Sequence, residues 1–247
     1  MKLFAIDIGN TSTSCALFAN NAIVVKKIIK KNDLASIINW IKKNDKDGLI
    51  VLSSVDPIQT KFLIEKIKNN QIDLHVISHE NCGLKMDVEY SSEVGVDRIC
   101  NSYAAKEIYK GPCVIIDFGT ATTYDVVDSN QTFIGGAIAP GIEVSSENLI
   151  SKAALLNKLN YESPKKAIGK NTIKNLQSGI MFGAVDSIHG MIRRIKNEMI
   201  INKKIKIILT GGFCHTISPL IDFDHEVNLE LTLHGINLIY KNEIKIK

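Results

Sequence analysis

A short acidic turn occurs twice in this chain. Residues 6–14 read IDIGNTSTS and residues 116–124 read IDFGTATTY. Each closes an apolar, β-branched run of the kind that fills a strand covered on both faces. Asp117 follows Asp7 by 110 residues, far too long a period for a solenoid but about the size of one small α/β lobe. The pattern predicts two related lobes, residues 1–110 and 111–247, facing each other across a cleft. No linker or low-complexity segment separates them, so hinge motion is the expected freedom. With 247 residues, 45% of them hydrophobic, the chain can bury a core in each.

The segments around the turns agree with this plan. KLFAIDIG reads as a buried strand, CALFANN and AIVVKKI as a meander after it. DLASIINWIKKN, with Asp33 as N-cap and apolar residues at 34, 37, 38 and 41, reads as a helix. GLIVLSSV and LHVIS are strands, and PIQTKFLIEKIKNN between them is a helix with Pro57 in its first turn. VDRICNSYAAKEIY is helical, broken by Gly111-Pro112 before the strand CVIID. TTYDVVD and FIGGAIA follow at once, so strand, strand, strand, helix begins again. A long helical tract from Thr172 to Ile200, the strand KIKIILT and a closing helix TLHGINLIY complete the second lobe. The fold class is α/β: two mixed five-stranded sheets flanked by helices.

In both copies the strand delivers an aspartate, and Gly9 or Gly119 two positions later opens a tight turn. Small hydroxyl residues fill the turns: Thr11, Ser12, Thr13 and Ser14 beside Asn10 in the first, Thr120, Thr122 and Thr123 in the second. Backbone N–H groups and hydroxyls clustered this way suit phosphate oxygens, and the aspartate suits a cation that screens them. Asp-x-Gly is also an ordinary hairpin turn; the duplication and a third glycine turn, Thr210-Gly211-Gly212, favour a polyphosphate held by both copies, with adenosine lying on the bare glycines.

Other chemistries are excluded. Gly-x-Gly does not occur, which removes the dinucleotide fingerprint, and IGKNT at 168–172 lacks the flanking glycine and Ser/Thr of a P-loop. The five cysteines form no CxxC pair, so neither a zinc site nor a disulfide framework is indicated. His75 and His79 have no acidic or third histidine partner for a zinc site. A net charge of +4 says little about nucleic acid, and no helix-turn-helix with a basic face is evident. The opening MKLFAIDIG reaches Asp7 too early for a signal peptide, and no segment nears the length of a membrane span. A cytosolic protein with reduced thiols is expected.

DIGNT at 7–11, GVDR at 95–98, DFGTATT at 117–123, GGAIAPGI at 135–142, IGKNT at 168–172, QSG at 177–179 and TGG at 210–212 together resemble the type III pantothenate kinases. These belong to the actin, Hsp70 and sugar-kinase superfamily, whose members bind ATP between two ribonuclease-H-like lobes. The resemblance implies ATP-dependent phosphorylation of pantothenate to 4'-phosphopantothenate, the first step of coenzyme A synthesis. It implies Asp97 as catalytic base, Tyr90, Gly95, Val96, Asp97, Arg98 and Thr172 as pantothenate contacts, and Thr172 reaching in from the neighbouring subunit of a homodimer. Asp7, Ile8, Gly9, Asn10, Thr11, Ser12, Thr13, Ser14 and Thr120 match ATP-phosphate contacts, Gly211 and Gly212 the adenosine turn, and Asp117 a ligand for K⁺ or NH₄⁺. Mg²⁺ is implied with the ATP.

Asp97 begins a helix, where the positive end of the dipole is expected to favour its ionised form. Arg98 has the planar fork that suits a carboxylate, either that of pantothenate or that of Glu93. Two departures from the family pattern concern substrate contacts: Ser91 and Ser92 stand where a proline is common, and Leu159-Asn160 where Leu-Pro is usual. Met181, Phe182, Ile188, Met191 and Ile195 read as core or dimer surface. The alternatives are a kinase for another small molecule on the same scaffold, and a nonenzymatic ATP-binding regulator.

Overall fold

Strand β1, Lys2–Ile8, is buried on both faces and lies at the middle of a five-stranded sheet in the order β3-β2-β1-β4-β5. The computed structural model describes residues 2–30, 33–45, 48–152, 159–199 and 204–246. β2 (Ser12–Ala19) and β3 (Ala22–Lys30) continue from β1 as antiparallel hairpins. The second hairpin turns on Asn20 and Asn21 alone, at φ 49° and 70°. Two left-handed residues match the right-handed twist of the strands, and asparagine tolerates that conformation. β4 (Leu49–Ser54) and β5 (Leu74–Val76) run parallel to β1 and are reached through α1 (Ala35–Asn44) and α2 (Pro57–Asn69).

Periodicity decides which side of the sheet each residue meets. Phe4, Ile6 and Ile8 point to the face covered by Ile37, Ile38 and Ile41 of α1 and Leu63 and Ile67 of α2. Phe4 meets the Trp40 ring edge-on at 5.2 Å. Helix α1 is capped differently from the expectation: its N-cap is Leu34, with no side-chain cap, so Asp33 does not serve. Leu34 is buried in the core, and that packing sets where the helix begins. Asp56 caps α2, accepting from the N–H groups of Ile58 and Gln59 at 3.1 Å.

α3 (Val96–Tyr109) ends at Lys110 in the left-handed conformation. β6 (Cys113–Phe118), β7 (Ala121–Val127), β8 (Phe133–Pro140), β9 (Lys206–Gly211) and β10 (Glu226–Val227) then form a second five-stranded sheet in the order β10-β9-β6-β7-β8. Its pairings repeat those of the first sheet: β6 is antiparallel to β7 and parallel to β9, as β1 is to β2 and β4. α4 (Ile142–Lys152), α5 (Thr172–Met199) and the single turn α6 (Cys214–Ile217) accompany it. Met181, Val185, Ile188, Ile192 and Ile195 of α5 pack on Val114, Ile116, Phe118 and Tyr124. Three of the five apolar residues singled out in α5 are therefore core. Ile200, and residues 153–158 before Leu159-Asn160, lie outside the described residues.

The chain divides into Met1–Lys110 with Glu230–Lys247, and Gly111–Leu229. The closing helix α7 (Leu231–Ile246) thus belongs with the first sheet, not with the second lobe as the sequence reading has it. Gly235 explains the choice, because a side chain there would run into the backbone of α3 at Cys100. Leu231, Leu233, Ile236 and Ile239 are buried, Thr232 donates to the Asn101 side chain at 2.8 Å, and the Asn242 amide donates to the Tyr103 hydroxyl.

Candidate active site

Asp7 stands one residue from the end of β1, with Ser14 opposite on β2 and Ser53 opposite on β4. The Ser53 hydroxyl, fully buried, donates to Asp7 Oδ1 at 2.8 Å. Asp117 occupies the same place in the second sheet, between Thr123 on β7 and Thr210 on β9. Each aspartate is therefore flanked by hydroxyl residues on both neighbouring strands. Ser53 escaped the sequence reading, and Thr210 entered it only as part of the third glycine turn, although LSSV at 52–55 and LTGG at 209–212 both close an apolar run with a hydroxyl residue.

The turns themselves differ by one residue. Gly9 N–H donates to the Ser12 carbonyl at 3.0 Å, and Gly119 N–H to the Ala121 carbonyl at 3.1 Å. Neither glycine has a positive φ, so left-handed freedom is not what these positions need. Space is the constraint at Gly9, where a Cβ would sit 3.1 Å from the Ser12 carbonyl. Asn10, Thr11 and Thr120 are exposed, whereas Ile8 and Thr13 are buried. The last two pair across β1 and β2 on the face away from Asp7; only their backbone can meet a ligand. Thr122 likewise faces an apolar cavity of about 240 Å³, lined also by Tyr124, Leu149, Gly179 and Gly183, which none of the assigned site residues touches.

Two of the recurrent glycine motifs hold the second turn in place. Gly141 N–H donates to the Thr120 carbonyl at 3.0 Å, and a Cβ on Gly141 would strike the carbonyls of Gly119 and Thr120. Gly211, at φ +89°, lies against Asp117: a Cβ there would meet its carboxylate and come 2.6 Å from the Phe118 nitrogen. Gly211 is thus closely packed on the side facing Asp117. Gly212, with nothing within 4 Å, is the open one.

GVDR forms the start of α3, with Gly95 as N-cap. A Cβ on Gly95 would fall 2.6 Å from Asp97 Oδ1 and 3.7 Å from Val55, just beyond β4. Asp97 Oδ1 accepts from the Arg98 backbone N–H at 2.7 Å. Burial pushes the Asp97 carboxyl above the ordinary carboxylate range, and the Arg98 N–H and guanidinium pull it down without cancelling that effect. Desolvation thus outweighs the helix end, contrary to expectation. A carboxylate of raised basicity is the better proton acceptor near neutral pH.

Asp97 and Asp7 belong to one neighbourhood. The Cys100 thiol, one turn into α3, is pushed well above its usual range by burial, raised further by the charges of Asp7 and Asp97, and lowered by a hydrogen bond with Ser53. Tyr90 is 62% exposed and precedes a single 3₁₀ turn formed by Ser91–Glu93. Thr172, exposed, is the first residue of α5. Asn171 caps that helix, its side chain accepting from Lys174 N–H at 2.9 Å, and Gly169 packs against Asn175. IGKNT is therefore a helix start. The five cysteines are free and buried.

Among the described residues no three His, Cys, Asp or Glu side chains form a group able to hold a metal. Single carboxylates set among hydroxyls still fit Mg²⁺, which takes one or two protein oxygens and completes its shell with phosphate and water. No helix is long and apolar enough to cross a membrane, among the described residues.

The chain is 37% identical over 252 residues to the type III pantothenate kinase of Thermomicrobium roseum, covering 97% of this chain and 96% of that protein. A solved structure of a candidate Baf family transcriptional activator from Campylobacter jejuni superposes with a TM-score of 0.64 at 20% identity, covering 98% of this chain and 99% of that one. The activator of 2-hydroxyisocaproyl-CoA dehydratase from Clostridium difficile, solved with bound ADPNP, gives 0.56 at 13% identity, covering 100% and 98%. At such identities the structures speak for fold alone. The family profile described as type III pantothenate kinase matches residues 3–194, and the chain belongs to that family.

Proposed function

We propose that this chain transfers the γ-phosphoryl group of ATP to the primary hydroxyl of pantothenate, giving 4'-phosphopantothenate in the first step of coenzyme A biosynthesis. The observation that carries the reading is the neighbourhood of Asp7 and Asp97, an acidic turn and a half-buried carboxylate of raised basicity grouped about Cys100. Asp97 accepts the alcohol proton and orients the hydroxyl; in a loose phosphoryl-transfer transition state orientation counts for more than base strength. Arg98 pairs with the pantothenate carboxylate, and Tyr90, Gly95 and Val96 complete that contact surface. The 7–14 segment and Thr120 bind the ATP phosphates, with Ile8 and Thr13 contributing through their backbone, and Gly211 and Gly212 form the adenosine turn. Asp117 holds K⁺ or NH₄⁺. Mg²⁺, when bound with ATP, neutralises charge on the phosphate oxygens.

The enzyme acts as a cytoplasmic homodimer, and Thr172 meets pantothenate bound by the partner. Light scattering of the purified protein is expected to give the mass of a dimer; a monomer mass overturns the self-association.

The activity is tested with purified protein, ATP, Mg²⁺, K⁺ and pantothenate, reading ADP and phosphopantothenate. Folded protein that forms neither product overturns the reading. Asp97→Asn keeps nucleotide binding and loses at least about 100-fold in kcat; undiminished turnover removes Asp97 from the chemistry.

A further inference from the structure

Ser53 is a hydroxyl with no assigned task. It is the next-to-last residue of β4, where Val51 and Leu52 before it are as fully buried as it is. A hydroxyl at such a position costs stability unless it is bonded, and an alanine would pack there as well. Its hydroxyl reaches Asp7 Oδ1 at 2.8 Å. A hydrogen bond to a carboxylate is among the stronger kinds and fixes the rotation of the acceptor. The second sheet repeats the arrangement: Thr210, 2% exposed, opposes Asp117 in the register in which Ser53 opposes Asp7. Neighbouring core residues differ between the copies, Val51 standing opposite Ala5 where Ile208 stands opposite Ile115. The hydroxyl opposite the aspartate is kept in both.

We propose that Ser53 is a positioning residue for nucleotide binding: its O–H locks the Asp7 carboxylate in the orientation that meets the ATP phosphates and their Mg²⁺. The inference rests on the kinase reading for the identity of the nucleotide. Ser53 touches neither the reacting atoms nor the substrate, so its effect passes through Asp7 and falls on nucleotide affinity rather than on pantothenate.

A double-mutant cycle on MgATP binding, measured calorimetrically with the full chain, tests this. Ser53→Ala weakens MgATP binding about tenfold, and raises KM for ATP while leaving KM for pantothenate within twofold. In an Asp7→Asn background the same change costs less than twofold. Ser102→Ala is the control, because Ser102 is an equally buried hydroxyl on α3 whose oxygen has no hydrogen-bond partner; it leaves MgATP affinity unchanged. The inference is overturned if Ser53→Ala binds MgATP like wild type, if its loss adds fully to that of Asp7→Asn, or if Ser102→Ala loses as much. Wild-type protein that binds MgATP without phosphorylating pantothenate ends the kinase reading yet leaves the cycle to decide Ser53; protein that binds no MgATP ends both.

Discussion

The Asp97 carboxyl carries a desolvation penalty at the start of α3. Its pKa is raised in the folded chain because burial penalises the charge, so the folded state binds the proton more tightly than the unfolded one. The contribution to stability is full below the unfolded value of about 4 and is lost as pH rises through the folded value. Asp97→Asn removes the penalty. Its melting temperature is therefore expected at or above wild type at pH 7, with the gap closing below about pH 4; a lower melting temperature at pH 7 would contradict the burial assignment. The acid limb of kcat/KM should also lie above that of an ordinary aspartate. Asp7 and Asp117 stand out in one dimension because each is a lone acid at the end of an apolar run, whereas Asp97 is picked out by the family motif GVDR. Ser53 does not stand out, since its meaning is a register between β1 and β4 that local sequence does not state.

At the scale of elements, caps and close approaches decide more than propensity. Asp56 bonds two N–H groups at the start of α2, so Asp56→Ala should cost about 1 kcal/mol in chemical denaturation, whereas Asp33→Ala, which removes no cap, should stay within about 0.5 kcal/mol. Gly235 admits the backbone of α3 to α7; Gly235→Val is expected to cost at least about 2 kcal/mol, and a neutral result would mean the helices can separate at little cost. The strands and the main helices could be read from period and punctuation. β10, two residues long, and the single turn α6 could not, because elements that short carry no periodic signal. Asp33 misled because a good capping side chain lost to the burial of Leu34.

For the molecule as a whole, the internal repeat disclosed two sheets of one topology, but not the path of the chain between them. An amphipathic helix shows that it must cover something without naming the sheet it covers, and α7 returns to the first. Removing residues 230–247 should therefore unfold the first unit, read as lost protection of β1 and β4 amides in hydrogen exchange; protection retained there would refute the packing. On the proposed function, the doubled aspartate turns serve phosphoryl transfer to pantothenate. The most direct measurement is single-turnover transfer of labelled γ-phosphate from ATP, comparing wild type with Asp7→Asn, Asp117→Asn and Asp97→Asn. Labelled phosphopantothenate is expected from wild type, with weakened ATP use in the first two variants and intact ATP binding without transfer in the third; label that never reaches pantothenate, or variants that all match wild type, would overturn that function.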